Sequence, residues 1–181
     1  TGAPVTATIT VTPSYTNAGT TCTGTPTTFT ITVNPTATVT AVSNQVVCNG
    51  ATTTAVNFGS PTTGGSIVYN WINNTTSIGL AASGTGNIGS FTAANGGTAP
   101  VTATITVTPS YTNAGTTCAG TAITFTITVN PIATVTAVSN QAVCNGTSTT
   151  AVSFSSPTTG GTIVYNWTNN TPSIGLAAAG S

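Results

Sequence analysis

Val101-Thr102-Ala103-Thr104-Ile105-Thr106-Val107-Thr108 alternates apolar and hydroxyl side chains without interruption. In an extended strand a period of two puts Val101, Ala103, Ile105 and Val107 on one face and the threonines on the other. Thr124-Phe125-Thr126-Ile127-Thr128-Val129 does the same, with Phe125, Ile127 and Val129 on the apolar face. The surrounding composition agrees. Thr supplies 48 of 181 residues, Met is absent, and Leu occurs only as Leu80 and Leu176. β-branched residues favour extended backbone, and most good helix formers are missing, so the chain reads as all-β.

Working outward, Ala99 through Pro109 reproduces Ala3 through Pro13, and Val129-Asn130-Pro131 reproduces Val33-Asn34-Pro35, both at an offset of 96. Aligning residues 1–85 with 97–181 leaves 16 differences in 85 positions. A 96-residue period is too long for a solenoid and suits tandem β-sandwich domains. If Val-Asn-Pro closes a domain, residues 36–131 are one complete repeat. Residues 1–35 are then the C-terminal strands of a preceding repeat, and 132–181 the N-terminal strands of a following one. Pro35 and Pro131 suit the junctions, because proline ends a strand and stiffens a short linker. Two origins fit these ends: a window cut from a longer array, or strands that complete a neighbouring molecule, as in donor-strand polymerisation.

Within 36–131 the pattern predicts strands near 37–43, 46–49 with 53–58, 65–72, 78–81, 88–93, 100–109 and 121–129. Asn49-Gly50, Asn95-Gly96 and the Pro61–Gly65 segment supply turns. About seven short strands so spaced indicate a two-sheet sandwich of immunoglobulin type. Tyr69 and Trp71 share a strand face and are expected in its core with Ile105, Val107 and Phe125.

The chain contains no Asp, Glu, Lys, Arg or His. Soluble domains average about 25% charged residues, so this absence is selected. It removes carboxylate, imidazole and amine acid–base catalysis, Ser-His-Asp chemistry, carboxylate calcium sites and electrostatic binding of nucleic acid. No enzyme activity, cofactor or metal is expected. The longest apolar run falls far short of the roughly 20 residues that span a bilayer, so this segment is not expected to enter a membrane.

Four cysteines form two repeat-equivalent pairs, Cys22 with Cys118 and Cys48 with Cys144. The order Cys48, Trp71, Cys118 resembles an immunoglobulin domain with its disulfide under a tryptophan. That resemblance implies a Cys48–Cys118 bridge, with Cys22 and Cys144 pairing with adjacent repeats, worth about 4 kcal/mol by the chain-entropy model. A rival pairing, Cys22–Cys48 and Cys118–Cys144, would tie neighbouring repeats together. Gln45 and Cys48 also have the residue types of an internal thioester. Disulfides would place the chain in an oxidising, extracellular setting.

Longer strings carry a family resemblance. Ala41-Val42-Ser43-Asn44-Gln45-Val46-Val47-Cys48-Asn49-Gly50, Tyr69-Asn70-Trp71, Ile78-Gly79-Leu80-Ala81-Ala82-Ser83-Gly84-Thr85-Gly86-Asn87-Ile88 and Thr124 through Pro131 resemble the PKD-like repeats of very large Bacteroidota surface proteins. Some of those are gliding-motility adhesins exported by type IX secretion. The resemblance implies immunoglobulin-like sandwiches strung into cell-surface fibres, and it brings no catalytic or ligand residues.

The expected role is therefore a structural repeat of an extracellular fibre, filament or adhesin stalk. Its partners would be adjacent repeats of the same chain, or identical chains in a bundle or donor-strand filament. The alternative is a surface-binding module that offers exposed Thr arrays or aromatics to polysaccharide or ice. Asn73, Asn74, Asn145, Asn166 and Asn169 match the N-x-Ser/Thr glycosylation pattern, as chance allows in a Thr-rich chain.

Overall fold

A computed structural model describes residues 2–181. The first strands are β1 (Val5–Val11), β2 (Ser14–Asn17), β3 (Thr20–Thr23) and β4 (Thr27–Val33). The middle of the chain forms β5 (Gln45–Cys48), β6 (Ser66–Asn73), β7 (Ser83–Thr85), β8 (Val101–Asn113), β9 (Thr116–Ala119) and β10 (Ile123–Asn130). Two short strands follow, β11 (Trp167–Thr168) and β12 (Ala179–Gly180). The only helical turns among the described residues are 3₁₀ turns at Thr76–Ile78 and Pro172–Ile174.

The principal sheet runs β5-β10-β8-β6-β7, and β9 also pairs with β8. It is mixed: β10 pairs antiparallel with β8 and parallel with β5. The alternating stretch quoted above is its central strand. In β8, Ala103, Ile105 and Val107 are fully buried while Thr102 is exposed and Thr104 and Thr106 are half-buried. β10 matches it, with Phe125 opposite Ile105 and Val129 opposite Val101.

A second layer faces this sheet across the core. Residues 50–56 run antiparallel to 88–93, tied by the Gly50 N–H to the Ala93 carbonyl, Thr53 to Phe91, and reciprocal bonds between Val56 and Ile88. Val56, Phe58, Ile78, Leu80, Ile88 and Ala93 pack from this side against Ala103, Ile105, Val107, Phe125, Ile127 and Val129. Each large side chain so buried contributes about 1.5–3 kcal/mol. Trp71 is buried, and Tyr69 packs half-buried against the same cluster, its ring 5.5 Å from that of Phe58.

Several local expectations change. Residues 37–43 form no strand: the segment is tied by the Thr40 N–H to the Gly59 carbonyl, and Asn44 Oδ1 accepts the Thr126 N–H, so single anchors replace a ladder. The 53–58 and 88–93 stretches meet in isolated bridges rather than strands. Residues 78–81 close a 3₁₀ turn whose C-cap is Gly79 at φ 94°, a left-handed conformation that favours glycine. β9 was not anticipated. It forms because Ala114 (φ 49°) and Gly115 (φ 76°) make a tight hairpin turn with two positive φ angles, which Asn-Gly usually signals and Ala-Gly does not.

Candidate functional site

With no charged side chain, only tyrosines, cysteines and the termini titrate, so the functional surfaces must be sought in shape and apolar area. Burial raises the Tyr111 pKa, with a smaller contribution from Cys118; the Tyr111 hydroxyl donates to the Thr63 carbonyl at 3.2 Å. Burial also raises that of Tyr69. Both are structural groups within or beside the core. The Trp71 indole N–H finds no acceptor, so the ring is held by its packed area alone, wedged against Gly84.

The cysteines behave differently from the sequence expectation. All four are free thiols, so neither Cys48–Cys118 nor the rival Cys22–Cys48 and Cys118–Cys144 pairing is formed. The register explains why the first fails. Cys48 sits beside Asn130 at the Val101 end of the sheet, whereas Cys118 lies opposite Tyr111, ten residues further along β8. At about 3.3 Å per residue the two are roughly 33 Å apart along the strand, far beyond the ~7 Å Cα limit of a disulfide. Gln45 forms no thioester with Cys48. Its amide instead makes two 2.9 Å bonds to the Thr54 backbone, and Gln141 makes the same pair to Thr150. Among the glycosylation matches, Asn73 is buried and donates to the Leu80 carbonyl at 3.0 Å, which removes it as an acceptor for sugar.

Two junctions flank the core, and they are built alike. At the first, the Thr63 N–H donates to the Gly2 carbonyl at 2.6 Å, and Pro4 lies against Gly64. At the second, the Thr159 N–H donates to the Thr98 carbonyl at 2.8 Å, and Pro100 lies against Gly160. Every one of these residues is displaced by 96. Pro35 and Ala37 are buried at the first junction, where the Asn113 side-chain amide donates to Asn34 Oδ1 at 2.9 Å and Asn34 Nδ2 donates to the Asn113 backbone carbonyl at 3.2 Å. Compared with known proteins, the chain matches no family model, no curated protein and no solved structure. The likeness to PKD-like repeats accordingly rests on the quoted residues alone.

Two further surfaces stand out. The outer face of β8 and β10 is a field of hydroxyls, with Thr102 and Thr128 bonded to each other at 2.8 Å. The flanking segments instead expose apolar side chains. In β1 and β4, Val5, Val11, Phe29, Ile31 and Val33 are exposed, and so are Val138, Val152, Phe154, Ile174 and Leu176. Of the last group, Val138, Val152, Phe154 and Leu176 border an apolar groove of about 540 Å³ that also includes Ala151 and Trp167. Alternation in the sequence marks these residues as core, yet among the described residues they are exposed.

Proposed function

We propose that this chain is a non-catalytic structural repeat of an extracellular surface fibre, filament or adhesin stalk, built from immunoglobulin-like units of 96 residues of the PKD-like kind. The observation that carries this reading is the repeated junction. A contact between different surfaces of successive units, reproduced at a fixed step, is heterologous and propagates as an open linear array. The β8 strand gives each unit a length of about 43 Å at 3.3 Å per residue, and the chain enters and leaves at opposite poles.

The chemistry fits an inert shaft. Its outward positions, normally charged, carry Thr, Ser and Asn, which wet the surface without offering trypsin a site or acid a carboxylate to titrate. Electron microscopy of the native assembly tests the reading: a shaft with an axial period near 43 Å is expected, and compact isolated particles would overturn it. A thermal midpoint steady between pH 3 and 8 and insensitive to chelator is also expected.

A second reading is favoured by the hydroxyl field on β8 and β10, which gives a regular Thr array to polysaccharide or ice. Glycan-array binding or thermal hysteresis by the 181-residue chain would select it. The aromatic version of that reading loses its support, because Trp71 is buried in the core.

A further inference from the structure

Asparagine followed by glycine occurs at Asn49-Gly50, Asn95-Gly96 and Asn145-Gly146. Such a pair loses its side-chain amide readily, because glycine leaves the next backbone nitrogen unshielded and the chain free to bend toward Cγ. The fold treats the second pair in a particular way. Asn95 is 5% exposed, and its carboxamide is fully engaged. Nδ2 donates to the Ala99 carbonyl at 2.9 Å and to the Val129 carbonyl at 2.8 Å, while Oδ1 accepts the Gly97 N–H at 2.9 Å.

The Asn95 backbone N–H donates to Asn49 Oδ1 at 2.9 Å, so one residue ties the Gly50 turn, the lead-in to β8 and the end of β10 together. Both amide hydrogens end on carbonyls, a place that needs a double donor. Gly96, by contrast, has no packing or conformational duty. A Cβ there would meet nothing within 4 Å, and its φ lies outside the left-handed region. The residue that makes Asn95 reactive is therefore separable from the residues that hold it.

We propose that Asn95-Gly96 is a latent modification site, sealed while the unit is folded and deamidated once the unit opens, with a product that cannot rebuild the fold. The Gly96 nitrogen attacks Asn95 Cγ. A succinimide closes as the Cγ–Nδ2 bond breaks, and the amine leaves as ammonia with the Gly96 proton. Water opens the ring at either carbonyl to give aspartate or isoaspartate, so an amide and a water become an acid and an ammonia without redox change. In the folded unit the carboxamide cannot turn toward Gly96 without giving up its buried hydrogen bonds. After conversion a carboxylate faces the Ala99 and Val129 carbonyls with no proton to offer, and isoaspartate also inserts a carbon into the backbone. Opening of the unit becomes irreversible with time.

The chain has no Asp or Glu, so an aspartate-specific protease has no site in it and every cut reports a converted asparagine. The 181-residue chain, aged folded in mildly alkaline buffer with reductant and then denatured for digestion, is expected to be cut at the exposed Asn145 and not at Asn95. Aged in urea, it should be cut at both, with isoaspartate detected by enzymatic methylation. On removal of urea, molecules converted at 95 should be missing from the refolded fraction. Gly96→Ala should keep the parent melting point, slow conversion at Asn95 in urea several-fold and raise the refolded yield. Asn95→Asp supplies the product directly. Its partners from the Asn49 turn, the 97–99 loop and β10 are uncharged, Cys48 beside Asn49 being the one titratable neighbour in sequence. Burial disfavours the charged acid, so this variant should melt lowest at neutral pH and recover in acid, where the parent is flat. Conversion at 95 in the folded chain as fast as at 145, refolded molecules that carry the acid at 95 with the parent melting point, or unchanged conversion in Gly96→Ala overturns the proposal. Should Asn95→Asp not fold at any pH, the refolding partition and Gly96→Ala still decide.

Discussion

Residues 5–33 and 101–129 differ at three positions, yet they fold to different extents. In the central unit, β8 runs unbroken for 13 residues through Pro109, which is fully buried opposite Tyr69 of β6. In the flank the same residues split into β1 and β2 around Thr12 and Pro13, with no β6 alongside. The other flank repeats the lesson: β6 spans eight residues, but its copy retains only Trp167 and Thr168 as strand. Strand length here is set by neighbours and burial, because the sequence is held nearly constant.

The strongest way to break this comparison is to cut matched aromatics. Phe125→Ala should cost about 3–5 kcal/mol in urea unfolding of dilute protein, whereas Phe29→Ala should stay within about 0.5 kcal/mol. Equal losses would mean that the flank is already covered in the monomer. Next comes the Trp contact. A Cβ on Gly84 would run into the Trp71 ring, so Gly84→Ala should cost about 1–3 kcal/mol. At Gly180 the same substitution meets Trp167, which is only half-buried and has room to move, so the melting point should barely change.

Alkali sharpens the contrast further. The Tyr69 and Tyr111 pKa values are raised above the ordinary 10.0 by burial, so folding favours their protonated forms. Their contribution is complete below pH 10 and is lost as the pH rises through the folded values. Melting should therefore be flat across acid and neutral pH and fall above about pH 10, and Tyr111→Phe should shrink that fall. The smallest effect is expected at the β8–β9 turn. Ala114→Gly relieves a positive φ and should stabilise by under about 1 kcal/mol, measurable by differential scanning calorimetry.

Much of this was legible in the residues. Alternation placed β8 and β10 to within a few positions, and the offset of 96 reappears in the contacts of Pro4 with Gly64 and Pro100 with Gly160. The hairpin at Ala114 was not, because its turn lacks the usual asparagine, and the second layer was overread because its apolar residues bury without forming ladders. The cysteines misled most: their order around Trp71 is that of a sandwich disulfide, but linear order does not reveal that Cys48 and Cys118 lie at opposite poles. The end segments keep the registers and side-chain anchors of the middle stretch, Ile9 opposite Phe29 as Ile105 opposite Phe125 and Asn169 on Leu176 as Asn73 on Leu80, which alternation alone does not show.

The parallel pairing of β5 with β10 has a mechanical consequence. Tension along the chain draws β5 toward one pole and the end of β10 toward the other, so the pair is loaded in shear. The evenly spaced bonds of a parallel ladder, from Gln45 opposite Ile127 to Cys48 opposite Asn130, then share the load together instead of unzipping singly. A shaft made of such units would resist pulling along its axis, yielding abruptly when one ladder gives way.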